Sequence, residues 1–344
     1  MATARPGRGP RLASGWLLLL AALSVSTWLL AEDRLGGYTH PRYLEMLAAA
    51  HTVQAAIGVI RAEKIARGLM QLPEFDPNRT GLIGSEFTDI TTTLGVLTSK
   101  RTATNPDFAA ALVRILAGLP VGPGDAVVIV LSGSFVGGNI AALAAVEALG
   151  IRPVVVSSLG ASMWGASDPD FNWLEIEAVL RSRRILRAKS LLSVLGGGGA
   201  VGRSMGEAGR AELLASAARH GITIVQEKPF ADLMDTIVAA IVKEVGTADR
   251  IRVVVNVGGS LLALGSCPES YEFPIGLSRH PPSCSDGTPG LLMRLSERGA
   301  PTLHVLNLRR LALDYGLPYD PVPLAQVGDN PLVYGAGGLR VFGE

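Results

Sequence analysis

From residue 120 onward, apolar runs alternate with helix-like segments, and this alternation limits the possible folds more than any other feature. Clear apolar runs are AVVIVL (126–131), SLLSVL (190–195) and IRVVVNV (251–257). Unbroken β-branched runs are typical of strands that are covered on both faces. Strands separated by helices in this way predict an α/β fold with a mostly parallel, doubly wound, Rossmann-like sheet.

The N-terminal region predicts a membrane anchor in front of this fold. Three arginines within residues 1–11 precede residues 12–31, LASGWLLLLAALSVSTWLLA, which carry no charge. About twenty apolar residues span a bilayer as a helix, and a basic flank stays in the cytoplasm. We therefore expect a cytoplasmic tail, a single transmembrane helix and a main domain outside the cytoplasm. A cleaved signal peptide is the alternative, with a cut after Ala31.

Two further regions are expected behind the anchor. Residues 32–79 are predicted to be a juxtamembrane helical segment, because apolar residues recur at helical spacing within 41–70. Residues 80–344 are predicted to form the extracytoplasmic α/β domain. Its first stretch, 80–104, holds eight threonines and no helical stripe. This composition favours a loop or a short strand, and so long a loop indicates function.

The two cysteines, Cys267 and Cys284, are consistent with export. In an oxidising compartment an isolated pair most simply forms one loop-closing disulfide, although two unrelated thiols are the alternative. His280 is the only histidine nearby, and the pair lacks the CxxC spacing of a metal site. We therefore predict a disulfide and no metal.

Four loops rich in glycine or serine follow predicted strands, at 132–139, 157–165, 196–202 and 258–265. In an open parallel sheet, such loops form the ligand crevice, and helix N-termini there attract anions. The alternative is that these glycines only permit tight turns between strand and helix. The predicted ligand-binding residues are Ser132, Gly133, Ser134, Asn139, Ser158, Ser162, Trp164, Gly197, Gly199 and Gly202.

One of these loops resembles a dinucleotide-binding turn. Gly197, Gly199 and Gly202 spell G-x-G-x-x-G between a predicted strand and a predicted helix, and Glu227 lies where a ribose-binding acid would fall. The predicted extracytoplasmic location and the run of four glycines both argue against NAD. We therefore expect an anion-binding loop and no cofactor, with nucleotide binding as a less favoured alternative.

Catalysis by a serine hydrolase or transferase is a further alternative. Ser132 and Ser134 lie between a strand and a helix, but the G-x-S-x-G nucleophile motif is absent. None of the five histidines has a local catalytic signature, and Asp168 is a weak candidate for an acid or base. The sequence therefore favours ligand binding over catalysis, with Lys100 and Arg101 as counter-charges for an anion.

The overall charge argues against nucleic acid as a partner. The 31 basic and 30 acidic residues leave a net charge of +1, and aromatic residues make up only 5% of the chain. Binding of nucleic acid normally uses a basic field and aromatic stacking surfaces. Neither is provided by this composition.

Two blocks of sequence resemble the poly-gamma-glutamate system proteins. They are TGLIGSEFTDITTTLGVLTSKRTATNPDFAA (80–110) and, within 132–177, SGSFVGGNIAALAA followed by VVVSSLGASMWGASDPDFNWLEIE. The resemblance extends over most of the chain from about residue 40. It implies a role in the synthesis, export or handling of the capsule polymer poly-γ-glutamate, beside the other membrane subunits of that system. It implies no catalytic residues. The expected ligand is the polymer or a precursor, and an enzyme acting on the γ-glutamyl amide is the alternative.

Overall fold

The computed structural model describes residues 14–36, 39–122, 125–226, 229–280 and 282–336. The strands are β1 Thr91–Thr93, β2 Ala126–Ser132, β3 Arg152–Ser158, β4 Ala161–Ser162, β5 Ser190–Val194, β6 Thr223–Ile224, β7 Ile251–Val257, β8 Gly276–Ser278 and β9 Thr302–Val305. The helices are α1 Ser14–Gly36, α2 Tyr43–Arg67, α3 Leu97–Thr102, α4 Asp107–Ala117, α5 Val136–Ala148, α6 Trp173–Ser182, α7 Glu207–His220, α8 Phe230–Val245, α9 Leu261–Leu264, α10 Leu291–Ser296, α11 Leu308–Asp314 and α12 Pro331–Tyr334.

A seven-stranded sheet in the order β6-β5-β3-β2-β7-β9-β8 organises the fold. All neighbouring strands in it are parallel except β8, which is antiparallel to β9. This arrangement confirms the predicted mostly parallel α/β sheet. Strand β8 was not expected, because its three residues, Gly-Leu-Ser, do not form an apolar run.

Helices cover both faces of the sheet, as in a Rossmann-like fold. Along β2, Val127 and Ile129 face a core that includes residues of α2, α4 and α5. Val128 and Val130 face a second core that includes residues of α8 and α10. Successive strand residues point to opposite faces, so both faces of this central strand must be apolar. That requirement explains the unbroken apolar run at 126–131.

Helix α2 lies within the main core. Met46, Val53 and Ile60 are fully buried and belong to the same cluster as residues of α4 and α5. The segment before α2 is also attached to the end of the described chain, because the His40 N–H donates to the Tyr334 carbonyl at 2.9 Å. Residues 39–79 are therefore part of the α/β unit, and the boundary predicted at residue 80 does not separate two packed bodies.

The N-terminal helix α1 matches most of the predicted anchor. The side chains of residues 15–30 are exposed, and the stretch is apolar. The predicted tail, residues 1–11, lies outside the described residues, as do residues 12 and 13 of the predicted span. By length and composition, α2 is the one described helix that could cross a membrane, but its buried face belongs to the core. Membrane insertion and orientation of α1 remain predictions.

The predicted disulfide is present between Cys267 and Cys284. It closes a loop with a sequence separation of 17 residues, and β8 lies within that loop. A disulfide is consistent with a domain outside the cytoplasm, because the cytoplasm keeps thiols reduced.

Candidate ligand-binding cleft

A cleft of about 940 Å³ lies at the carboxyl edge of the sheet. Its walls include the loops that follow β2, β3, β5, β7 and β9, together with residues between 92 and 100. Strands β2 and β7 are neighbours although three strands of the same sheet separate them along the chain. The strand order reverses there, and such a switch point is where open α/β sheets bind ligands.

Hydroxyl groups supply most of the polar side chains of the cleft wall. Among the described residues that line it, Lys100 is the only lysine, arginine or histidine, and none is an aspartate or a glutamate. Such a surface offers many hydrogen-bond donors and no carboxylate that would repel an anion. The hydroxyl-bearing residues include Thr92, Ser99, Ser132, Ser134, Ser158 and Ser162.

Half of the ten predicted ligand-binding residues meet at this cleft. They come from three different loops and are Ser132, Ser134, Ser158, Ser162 and Gly197. The rule that loops at the carboxyl ends of parallel strands share one crevice therefore located the cleft correctly. Whether these residues bind a ligand remains a prediction.

Gly133 and Asn139 position the first loop and do not line the cleft. A Cβ atom on Gly133 would lie 2.5 Å from the carbonyl oxygen of Leu159, closer than real contacts allow. Asn139 is fully buried, and its Nδ2 donates to the Ser132 carbonyl at 2.8 Å. Both residues therefore act on the site by holding the loop after β2 against its neighbours.

Trp164 also lies outside the cleft lining, although it was predicted to be a ligand-binding residue. Its side chain is buried, and its ring packs against Phe75 with a centroid distance of 4.6 Å. Its φ of +66° is a left-handed conformation that few non-glycine residues adopt. The ring stabilises the packing of two loops and presents no free face to a ligand in the cleft.

Asp168, the weak candidate for a catalytic carboxylate, is the counter-ion of a buried lysine. Its Oδ2 lies 2.9 Å from Lys64 Nζ, and its other oxygen accepts hydrogen bonds from the N–H and hydroxyl of Ser85. Both charged side chains are almost inaccessible to solvent. The predicted role fails for a geometric reason, because this carboxylate is already engaged away from the cleft.

The glycine loop does not form a dinucleotide-binding turn. It closes on itself, with the Ala200 N–H donating to the Gly197 carbonyl at 3.0 Å and the Gly202 N–H to the Gly196 carbonyl at 2.7 Å. Gly199 and Gly202 are not part of the cleft lining.

The following helix is also displaced from the position that a dinucleotide turn requires. Helix α7 begins at Glu207, and the Gly206 N–H just before it donates to the Asp89 carbonyl at 3.1 Å. In a dinucleotide turn the glycine loop opens directly into the helix N-terminus that receives the phosphates. Glu227, the acid expected to bind the ribose, lies outside the described residues.

Lys100 projects into the cleft from α3, a short helix within the segment that we expected to be loop or strand. Its side chain is only 4% exposed. Its Nζ donates to the Ser134 carbonyl and lies 2.6 Å from the hydroxyl oxygen of Ser162. It also stands 3.8 Å from the ring centroid of Phe135. All of these partners are neutral.

Burial lowers the pKa of Lys100 to about 7 from its ordinary value of 10.5. The cause is desolvation, because an ammonium group removed from water loses hydration that neutral oxygens and an aromatic ring replace only in part. Near neutral pH the amine is therefore present in both its protonated and its neutral form. The protonated form attracts an anion, and the neutral form is a base.

The hydroxyl beside Lys100 is held by backbone pairing. Ser162 belongs to β4, which pairs with β1 in a separate two-stranded sheet. The Ser162 N–H donates to the hydroxyl oxygen of Ser134 at 3.0 Å, and the Ser134 N–H donates to that of Ser132 at 3.2 Å. The three serines are thus linked in one hydrogen-bonded chain, and Ser162 is the one whose hydroxyl contacts the amine.

The disulfide-closed segment also contributes to the cleft wall. Cys267 lines the cleft, and Tyr271, on the same segment, is almost fully exposed. Leu94 and Val96 are also exposed and lie on the segment before α3. The cleft therefore combines a polar interior with several accessible apolar side chains.

Comparison with known proteins finds no matching family model, no similar curated protein and no similar solved structure. The resemblance to the poly-gamma-glutamate system proteins therefore remains a prediction.

The sequence predicted Lys100 as a counter-charge for an anion but gave no sign of its contact with Ser162. The two residues are separated by 62 positions and lie in different supersecondary units. The usable signals were a basic residue, Lys100, and a serine, Ser162, in a loop after a predicted strand. Neither signal reports a distance between the two side chains.

Proposed function

We propose that this protein is a membrane-anchored, extracytoplasmic component of poly-γ-glutamate synthesis or export. Its cleft binds the anionic polymer or a precursor, and other membrane subunits of the system are its partners. The observation that carries the proposal is the chemistry of the cleft wall: many hydroxyls, one buried amine at Lys100, and no acidic side chain among the described lining residues.

Electrostatics favours an anionic ligand in such a cleft. A protonated Lys100 has only neutral partners, so a carboxylate near it supplies the missing opposite charge. Hydrogen bonds between ionised groups and hydroxyls or amines are stronger than those between neutral groups. Because every unit of poly-γ-glutamate carries a carboxylate, one unit can lie near Lys100 while its neighbours contact the serine and threonine hydroxyls.

The size of the cleft is compatible with a short segment of polymer. Pockets for drug-sized molecules measure roughly 300–1,000 Å³, and this cleft lies near the upper end of that range. Its accessible apolar side chains, such as Leu94 and Tyr271, can contact the methylene groups of each glutamate unit.

The predicted location agrees with a capsule polymer as the ligand. Helix α1 presents an exposed apolar surface, and the disulfide between Cys267 and Cys284 is consistent with an oxidising compartment. Both features support a domain held at the outer surface of a membrane, where an exported polymer passes.

Titration calorimetry of the full chain in detergent micelles with short poly-γ-glutamate tests the proposal. We expect binding that weakens as salt rises, because contacts between exposed charges are screened over about 10 Å at 0.1 M ionic strength. Poly-α-glutamate of equal length is the control for general attraction to a polyanion. Equal binding of both polymers, or binding of NAD in place of either, would contradict the proposal.

A further inference from the structure

The Lys100–Ser162 pair stands apart from the other hydroxyl groups of the cleft. Ser162 is the cleft serine whose hydroxyl oxygen lies at hydrogen-bond distance, 2.6 Å, from an amine. The Ser132 and Ser134 hydroxyls accept from backbone N–H groups, and Lys100 contacts Ser134 only through its carbonyl. Geometry therefore distinguishes Ser162 from the serines that the sequence had suggested as nucleophiles.

We propose that Ser162 is a catalytic nucleophile and Lys100 its general base, in a serine–lysine site that cleaves or transfers an amide of a carboxylate-bearing chain. The choice of substrate rests on the proposed function, since that function supplies the γ-glutamyl amide. The dyad itself rests on the hydrogen bond, the burial of the amine and the position of both groups on the cleft wall.

The local contacts suit a lysine that acts as a base. A neutral amine has one lone pair and two N–H groups. The protonated amine donates to both the Ser162 hydroxyl oxygen and the Ser134 carbonyl. In the neutral form the N–H to the Ser134 carbonyl is kept, and the lone pair faces the Ser162 hydroxyl and accepts its proton. Among the described lining residues there is no histidine or carboxylate to take the role of base. Burial lowers the pKa of Lys100 to about 7, so a large fraction of the amine is neutral at physiological pH.

The reaction balances without a metal or a redox partner. Lys100 takes the proton of the Ser162 hydroxyl as Oγ attacks the amide carbonyl carbon and a C–O bond forms. The C–N bond then breaks, and the ammonium of Lys100 returns the proton to the leaving amine. Water next attacks the ester carbonyl carbon and gives one proton to Lys100. The bond between that carbon and Ser162 Oγ then breaks, and the ammonium of Lys100 returns the proton to Oγ, so the carboxylic acid is released and both Ser162 and the neutral amine are restored. If an amine attacks instead of water, a new amide forms and the chain is transferred.

The two protonation states of Lys100 separate binding from chemistry. The protonated form attracts the anionic chain, and the neutral form activates Ser162. Affinity is therefore expected to fall as pH rises through about 7, while the rate of serine acylation rises over the same range. Among the described residues on the cleft wall, Tyr271 has the only other titratable side chain, and there is no aspartate, glutamate, histidine or arginine.

A fluorophosphonate probe tests the dyad without polymer, because Ser162 Oγ displaces fluoride to form a stable phosphonyl ester. We expect peptide mass mapping of the full chain in micelles to place the label on Ser162. The labelling rate is expected to rise with pH to a plateau above about pH 8. Lys100→Met is expected to slow labelling by about 100-fold, the usual range for loss of a general base.

Two controls separate the loss of the general base from misfolding of the variant. Lys189→Met removes an exposed lysine outside the cleft and is expected to label like the wild type. The pH dependence of the wild-type protein needs no variant, so it decides the question even if Lys100→Met fails to fold. Absence of label on Ser162, or a rate that does not change between pH 6 and pH 8, would overturn the dyad.

Polymer experiments separate the two proposals. Ser162→Ala is expected to bind poly-γ-glutamate but to release no shorter chains and form no new amide, whereas the wild-type protein does one or the other. Binding without Ser162 labelling overturns the dyad and leaves the proposed function standing. Labelling that depends on Lys100 without polymer binding supports the dyad and overturns the proposed substrate.

Discussion

Two buried lysines, Lys64 and Lys100, solve the same physical problem in different ways. Each side chain is at most 4% exposed. Lys64 Nζ lies 2.9 Å from both the Asp168 carboxylate and the Ile83 carbonyl. Lys100 has only neutral partners. We infer that a buried amine with a counter-ion stabilises the fold, whereas a buried protonated amine without a counter-ion still attracts an anion.

The surroundings of the two lysines agree with this division. Asp168 is further saturated by the Ser85 N–H and hydroxyl, so the network around Lys64 is closed. Lys100 lies on the wall of the 940 Å³ cleft, where a ligand can reach its neighbours. We therefore expect substitutions at the first site to change stability and those at the second to change binding and chemistry.

The largest effect on stability is expected from Asp168→Ala. It leaves the Lys64 ammonium buried without a counter-ion, which costs about 3–5 kcal/mol. Denaturant unfolding of the full chain in micelles measures this loss. The double variant Lys64→Met with Asp168→Leu is expected to recover most of it, because no unpaired charge remains. A loss below about 1 kcal/mol in the single variant would mean that this ion pair is not structural.

The second expected effect is the loss of stability on removal of the disulfide, which lies at the cleft and has no counterpart at the Lys64 site. Replacing Cys267 and Cys284 with serine reopens a loop with a sequence separation of 17 residues. The expected loss is about 3 kcal/mol. We also expect weaker polymer binding, since this segment forms part of the cleft wall. Unchanged affinity in the double serine variant would show that the disulfide stabilises the fold but has no role in polymer binding.

Lys100 is also expected to make the stability of the protein depend on pH. Because the pKa of Lys100 is lowered to about 7 in the folded state, the unfolded chain binds more protons between about pH 7 and pH 10.5. Stability due to this group therefore rises with pH over that window. Relative to Lys100→Met, the wild-type protein is expected to gain about 2 kcal/mol between pH 7 and pH 9. A difference between the two proteins that is the same at both pH values would contradict this assignment.

The smallest expected effect is on polymer affinity. At pH 6, where Lys100 is mostly protonated, Lys100→Met is expected to weaken binding about tenfold, or about 1.4 kcal/mol. At pH 9 the two proteins should bind almost equally, because the wild-type amine is then neutral. Calorimetry at both pH values measures the difference, with Lys189→Met as the matched control. A tenfold loss that persists at pH 9 would indicate a packing effect of the methionine.

Much of the fold was readable in local patterns. The helical spacing within 41–70 predicted α2, and apolar runs predicted β2, β5 and β7 within one or two residues of their observed ends. The glycine- and serine-rich loops predicted the edge of the sheet at which the cleft lies. These patterns work because burial of a strand or helix face is recorded in successive residues of the same segment.

The same patterns failed where the outcome depended on distant segments. The G-x-G-x-x-G spelling left a dinucleotide turn as a less favoured alternative, and only the folded loop shows that it bonds to itself and that α7 starts later, against Asp89. Helix α3 has the sequence LTSKRT, which lacks the helical spacing of apolar residues that would predict a helix. Trp164 and Asp168 looked accessible in a polar loop, yet packing buries both.

The sequence alone determined the alternation of strands and helices, the apolar N-terminal segment and the single pair of cysteines. Only the tertiary structure decided which charges are paired. Asp168 meets Lys64 across 104 positions, and Ser162 meets Lys100 across 62. Local composition fixes which faces are buried, but the distance between two side chains depends on strand order and loop packing. That distance distinguishes Lys64, which has a counter-ion, from Lys100, for which we propose a role in binding and catalysis.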